Sequence, residues 1–179
     1  GVKGIKVDFF GGDGQSMINY YLDILDDAGT AGLVVNFHGA TLPRGWSRTY
    51  PQLMTMEAIR GFEYVTFEQA NADQEPTHAA MLPFTRNLFD PMDFTPVSLD
   101  QLNGRVQRRT TPGFELALSV LFTSGIQHYV ETPAGMAKQP AYVQAFLKGV
   151  PSVWEDTRFL EGYPGKYVVM ARRGGGKWY

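Results

Sequence analysis

Apolar residues fall into two regimes along this 179-residue chain. Up to about Pro151, short apolar runs alternate with stretches of helical spacing; beyond Trp154, alternating segments are divided by glycine-rich turns. The first run, Gly4-Ile5-Lys6-Val7-Asp8-Phe9, has β-branched residues two apart and ends in a carboxylate. Glycines at positions 11, 12 and 14 then disfavour both strand and helix, so the run predicts a strand that delivers Asp8 to an open edge. Between Ser16 and Ala28, apolar residues at Met17, Tyr20, Tyr21, Ile24, Leu25 and Ala28 recur three and four apart. That is a helix with one buried face, with Ser16 as N-cap and Gly29 as its stop. Ala31 to Phe37 is a nearly continuous apolar run, as in a parallel strand buried on both faces, and it ends in His38-Gly39.

A loop rich in Pro, Gly, Arg and Trp covers Ala40 to Pro51. Gln52–Glu57 is a third strand candidate ending in a carboxylate, and Gly61-Phe62-Glu63-Tyr64 brings another soon after. Glu68 to Thr77 reads as a polar stretch, followed by a short helical segment from His78 to Phe84. Pro91 and Pro96 make their surroundings irregular and leave room for a short strand over Met92–Phe94. Pro112–Thr123 predicts a buried helix stopped by Gly125; Ile126–Val130 reads as the next strand and Pro140–Leu147 as a further helix. Hairpin-like strands follow at Thr157–Leu160, Lys166–Arg172 and from Lys177 onward.

About five β/α units and then an antiparallel region predict an α/β fold. Residues 1–150 read as the C-terminal part, about strands 4 to 8, of a (β/α)8 TIM barrel, and residues 151–179 as the start of an antiparallel β domain. Half a barrel leaves sheet edges unpaired, so the expectation is a piece of a longer protein that needs its missing N-terminal part. Expressed alone, such a piece should be poorly soluble or molten.

Composition changes this picture little. With 44% hydrophobic residues and a formal net charge of -2, the chain reads as one ordinary core and not as a disordered segment or a nucleic-acid binder. No apolar run approaches the roughly 20 residues needed to span a bilayer, so no membrane insertion is expected. The absence of cysteine excludes disulfides and thiolate metal sites.

Asp8, Glu57 and Glu63 stand at successive predicted strand ends or just beyond them, with His38 at the corresponding place on the strand between. In parallel barrels, that end carries the active site. Cleaving a glycosidic bond takes two carboxyl groups converging from different elements. Lys6, two residues from Asp8 on the same strand face, can keep the carboxylate ionised or contact a hydroxyl. Phe9, Phe10, Trp46, Tyr50, Phe62 and Tyr64 would suit stacking on sugar faces. The plainer alternatives are Asp8 as a helix cap, Glu57 as an ion-pair partner of Arg60, His38 as a structural hydrogen-bonder, and the aromatics as packing. His78, His128 and Glu131 read as structural, and Arg105 to Arg109 as a solvated face.

Four motifs, in this order, resemble the catalytic barrel of glycoside hydrolase family 97: Lys6-Val7-Asp8-Phe9, Asn36-Phe37-His38-Gly39-Ala40-Thr41-Leu42-Pro43-Arg44-Gly45, Tyr50 to Glu57 with Arg60 to Tyr64, and Met92-Asp93-Phe94-Thr95-Pro96. The resemblance runs over nearly the whole chain. It implies an N-terminal β-sandwich, a central (β/α)8 barrel and a C-terminal β domain. It also implies a retaining α-glycoside hydrolase of the α-galactosidase-like branch. Inverting α-glucosidase members carry a glutamate where this chain has Gly39, whereas retaining members carry their aspartate nucleophile where it has Asp8.

On that resemblance Asp8 is the nucleophile, Glu63 the acid/base, Lys6, His38 and Trp46 contact the substrate, and Glu57 with Glu63 binds Ca2+. Asp93 and Thr95 lie in a shared motif without an assigned role. The expected partner is an oligosaccharide or α-glycoside, and the expected compartment is the bacterial periplasm. The alternatives are an inverting α-glucosidase of the same family and an inactive carbohydrate-binding barrel.

Overall fold

The computed structural model describes residues 1–100 and 104–179. Three short parallel strands, β1 (Gly4–Val7), β2 (Val34–Phe37) and β3 (Leu53–Met56), form the first sheet in the order β1-β2-β3. Val7 pairs with Phe37 and Phe37 with Met56, so the strands end in register. Met92 extends the row through a single parallel bridge to Met56, and the Asp93 amide donates to the Met56 carbonyl at 3.0 Å. The residues directly after these four positions are Asp8, His38, Glu57 and Asp93. Register alone therefore lines up four polar side chains along one sheet edge.

Helix α1 (Gln15–Ala31) connects β1 to β2 and buries Tyr21, Leu25 and Ala28. These pack on Val35, Phe37, Leu53 and Met56 to form one core cluster. Each such large side chain contributes about 1.5–3 kcal/mol on burial. Gly14 is the N-cap and Gly32, in the left-handed region, the C-cap, so Ser16 and Gly29 both lie inside the helix. Gly29 sits against Gln52, whose side-chain amide donates to the Leu25 carbonyl at 2.7 Å. The expected stop at Gly29 reads instead as a close-approach position between helix and sheet.

A second core cluster gathers α2 (Phe62–Val65), α3 (Gln69–Met81) and α4 (Pro112–Leu121) around Met92, Phe94 and Phe122. Here the structure corrects the sequence reading: the polar stretch from Glu68 to Thr77 is almost all helix α3. Its buried positions are Ala72, Glu75, Ala79 and Ala80. Small residues and one carboxylate give no apolar period to read. The strand expected at Met92–Phe94 shrinks to the Met92 bridge, because Thr95 and Val97 take positive φ angles of 52° and 72° and end the extension. Ile126–Val130 forms no strand; one backbone bond, Val130 to the Pro96 carbonyl at 3.0 Å, holds it beside that segment. Helix α4 starts at Pro112 with Thr111 as its cap, Oγ1 accepting from the Phe114 amide at 3.1 Å.

Helices α5 (Pro133–Ala137) and α6 (Ala141–Gly149) precede an antiparallel sheet of β4 (Asp156–Tyr163), β5 (Tyr167–Gly174) and β6 (Lys177–Trp178). This sheet docks through Arg172, which donates to the Leu121 carbonyl at 3.0 Å, and through Phe159 edge-on to Phe84. No helix among the described residues is long and apolar enough to cross a membrane.

Candidate active site

The strand-end row folds into a compact polar cluster. Asp8 Oδ1 accepts from the Phe9 amide at 2.8 Å, and Oδ2 lies 3.9 Å from Lys6 Nζ. Glu63 arrives from a different element. Phe62 is fully buried and its amide donates to the Phe94 carbonyl at 2.8 Å, which fixes α2 so that Glu63 Oε1 meets Lys6 Nζ at 3.1 Å. One ammonium thus bridges the two carboxylates. Glu57 is buried and accepts from the Gly39 amide at 2.8 Å. Burial, opposed by that bond, pushes its carboxyl above the usual range. Arg60 lies over the Tyr64 ring, 5.7 Å from its centroid.

His38 is 1% exposed and sits between the two ends of this cluster. Nε2 lies 2.8 Å from Asp93 Oδ2, and Nδ1 lies 3.6 Å from Glu57 Oε1 and 3.6 Å from Glu63 Oε2. The same Asp93 oxygen accepts from Asn36 Nδ2 and meets His128 Nδ1 at 2.8 Å. Burial raises the Asp93 pKa, but the bonds from His128, His38 and Asn36 outweigh it and hold the carboxyl well below the usual range. An ionised carboxylate only accepts, so both imidazoles donate to it. His38 therefore carries its proton on Nε2. Its Nδ1, buried without a hydrogen-bond partner, faces two carboxylates.

His38 Nδ1 and one oxygen each from Glu57 and Glu63 lie within 4.8 Å of one another, an arrangement able to hold a metal ion. The two carboxylates offer hard oxygen donors of the kind that suit an alkaline-earth ion, and His38 adds one nitrogen. At Gly39, with φ +50°, an added Cβ would fall 2.9 Å from Asp8 Oδ1 and 2.9 Å from the Phe9 amide nitrogen. The Asp8 carboxylate occupies the space a side chain at position 39 would need.

Lys6, Asp8, His38, Glu57 and Glu63 thus come together as the sequence suggests. Trp46 packs on Tyr21, ring centroids 5.1 Å apart, and Phe10 stacks on Tyr21 at 4.0 Å, so both rest against the core under α1 while staying partly exposed. Phe9 is 92% exposed. Asp93, given no role from the sequence, and His128, read there as structural, join the site through the bond between them. The signal for Asp93 was present, since Met92-Asp93-Phe94 repeats the apolar-Asp-Phe pattern of Val7-Asp8-Phe9. The basic run Arg105 to Arg109 is only partly solvated: Arg109 pairs with Asp73 at 2.6 Å, and Arg108 buries Nη1.

Carboxyl groups converging from separate elements on a polar strand-end row are the equipment of glycoside hydrolases. Comparison with known proteins gives the family. Residues 1–59 match the model described as glycoside hydrolase 97, and residues 153–179 match glycosyl-hydrolase 97 C-terminal, oligomerisation. The chain belongs to glycoside hydrolase family 97.

It is 41% identical over its whole length to a probable retaining alpha-galactosidase of Streptomyces bingchenggensis (strain BCW-1), of which it covers 27%. It is 32% identical to a retaining alpha-galactosidase of Bacteroides thetaiotaomicron (strain ATCC 29148 / DSM 2079 / JCM 5827 / CCUG 10774 / NCTC 10582 / VPI-5482 / E50), of which it covers 28%. Among solved structures it is similar to a beta-arabinopyranosidase, with 46% identity and a TM-score of 0.94 over 99% of this chain and 29% of that one. It is also similar to a family 97 enzyme from Pseudoalteromonas sp. strain K8 in complex with acarbose, with 33% identity and a TM-score of 0.75 over 92% of this chain and 25% of that one. The chain therefore spans little more than a quarter of the length of the curated relatives it matches.

Proposed function

We propose that this chain is the site-bearing segment of a retaining α-galactosidase, with Asp8 as nucleophile and Glu63 as acid/base. The observation that carries the reading is the contact between Gly39 and Asp8. Position 39 has no room for a carboxylate side chain beside Asp8, so the carboxylate pair left for catalysis is Asp8 and Glu63. Through the shared Lys6 contacts their nearest oxygens lie at most about 7 Å apart, which favours retention over most of the 6.5–9.5 Å inverting range.

In the first step Glu63 protonates the leaving oxygen while Asp8 attacks the anomeric carbon, giving a glycosyl ester and a free alcohol. In the second step Glu63, now a base, takes a proton from water, which attacks the same carbon and releases Asp8. Lys6, in contact with both carboxylates, holds the two groups in place relative to each other. His38, and Trp46 from the nearby loop, are proposed to contact the sugar. Glu57 and Glu63 fit Ca2+ by donor chemistry, and remaining ligands would come from outside this chain. A bound Ca2+ would neutralise the buried Glu57 charge and orient a sugar hydroxyl.

The parallel sheet reads as part of a (β/α)8 barrel and the antiparallel sheet as the start of a C-terminal β domain. An exported, periplasmic enzyme is the proposed setting, supported by family resemblance. The similarity to a beta-arabinopyranosidase favours a second substrate reading. L-arabinopyranose lacks only the hydroxymethyl group of galactose, so the two sugars present the same ring hydroxyls to Lys6 and His38.

The test is Asp8→Ala in the full-length protein that contains this chain. Turnover of an aryl α-galactoside should fall to background and return with azide as an external nucleophile, giving a β-galactosyl azide. Unchanged turnover would remove Asp8 from the nucleophile's place.

A further inference from the structure

Asp93 is 1% exposed and touches neither Asp8 nor Glu63, yet its Oδ2 is where Asn36, His38 and His128 converge. The three donors come from two parts of the chain: Asn36 and His38 from β2 and the residue after it, and His128 from the segment that follows α4. The two imidazoles leave Asp93 with different far sides. His38 turns Nδ1 to Glu57 and Glu63 at 3.6 Å each. His128, its side chain 45% exposed, lines a cavity of about 310 Å³ that runs along β1 and β2 past Lys3, Ile5, Lys6, Val34 and Asn36. Lys6, on the wall of the same cavity, is the group that meets Asp8 and Glu63. With His128 Nδ1 committed to Asp93, the other ring nitrogen, Nε2, is left to bind something else.

We propose that His128 contacts the sugar and that Asp93 is the positioning residue that sets it and His38 together, one carboxylate oxygen fixing the tautomer and angle of both rings. The proposal rests on the retaining-glycosidase reading above. A carboxylate behind an imidazole fixes which nitrogen carries the proton and where the ring points. Here one carboxylate does so for two rings, so loss of Asp93 releases both at once. His128 Nε2 then meets a sugar hydroxyl from the Lys6 side, while His38 keeps Nδ1 turned to Glu57 and Glu63.

A double-mutant cycle in the full-length protein tests the coupling. His128→Ala should lower kcat/KM on an aryl α-galactoside about 10- to 100-fold, the range for one hydrogen bond to a charged group. Asp93→Asn should lower it further, and adding His128→Ala to Asp93→Asn should change it by less than about threefold. A merely structural tie would lower Tm in both variants but leave their effects on kcat/KM multiplicative, and that result overturns the proposal. Imidazole nitrogen spectra of 15N-histidine-labelled enzyme give a readout independent of turnover, with His38→Gln and His128→Gln identifying the signals. The expected pattern is a proton on Nε2 of His38 and on Nδ1 of His128, both lost or exchanging in Asp93→Asn. An unprotonated His128 Nδ1 in the wild type overturns the positioning role. If the wild-type protein releases no sugar from galactoside or arabinopyranoside, the glycosidase reading fails and the sugar contact falls with it, while the spectra still decide the part played by Asp93.

Discussion

At Gly39 the backbone takes φ +50° and passes so close to Asp8 that an added Cβ would lie 2.9 Å from its carboxylate oxygen. Two penalties coincide there. A non-glycine residue in the left-handed region costs about 1–2 kcal/mol, and a methyl group would push the Asp8 carboxylate, the proposed nucleophile, off its line. Gly39→Ala should therefore lower stability by that amount and reduce kcat at least about tenfold with little change in KM, since the displaced group acts in the chemical step. Steady-state kinetics with a melting curve checks both, and an unchanged kcat would show that Asp8 does not depend on this space. The sequence made these residues legible one at a time, because a strand that ends in a polar side chain is visible in pattern alone. What it could not show was their registry. Asp8, His38, Glu57 and Asp93 become one row only because Val7, Phe37, Met56 and Met92 pair in step. His128 was hidden for a related reason: it sits in a segment that reads as a strand and is coil, so no period told which way its ring would point.

Among the elements, α3 and α4 meet through a pair of buried carboxyls. Glu75 is 2% exposed and Glu115 fully buried; Glu115 accepts from the Ser98 amide at 3.1 Å and from Thr110 Oγ1. Burial and the neighbouring Glu115 carboxylate push Glu75 up to about 9. Folded Glu75 holds its proton while the unfolded chain loses it near its ordinary value of 4.5, so the native state binds more protons between those two pH values. Stability contributed at this site therefore falls as pH rises from about 4.5 to about 9 and is level beyond. Glu75→Gln, which keeps a neutral donor, should flatten that slope and raise Tm at pH 8 relative to the wild type. A parallel shift of Tm at all pH values would mean that Glu75 is ionised in the fold. The same pair explains why α3 was misread: a helix whose buried face is alanine and protonated glutamate looks polar in sequence, whereas α1, with Tyr21 and Leu25, does not.

The whole molecule divides its work between two sheets. The parallel one carries every residue of the polar row, and the antiparallel one braces α3 and α4 from behind through Arg172, Phe159 and the Gly165 amide. Among the described residues β1 pairs with β2 alone, so the Asp8 side of the row ends at an open sheet edge. An open edge of this kind has unpaired backbone groups that a further strand can meet. The hairpins beyond Trp154 were legible because turns and alternation are local signals. The parallel sheet was legible only in outline, since pairing between strands distant in sequence leaves no local mark.

The central claim is retention through Asp8. Proton NMR of the sugar first released from an aryl α-galactoside by the full-length protein, recorded before mutarotation, tests it most directly. With Asp8 as nucleophile the α-anomer appears first, and the β-anomer grows in only as mutarotation proceeds. The β-anomer first would mean inversion and would take Asp8 out of the nucleophile's place.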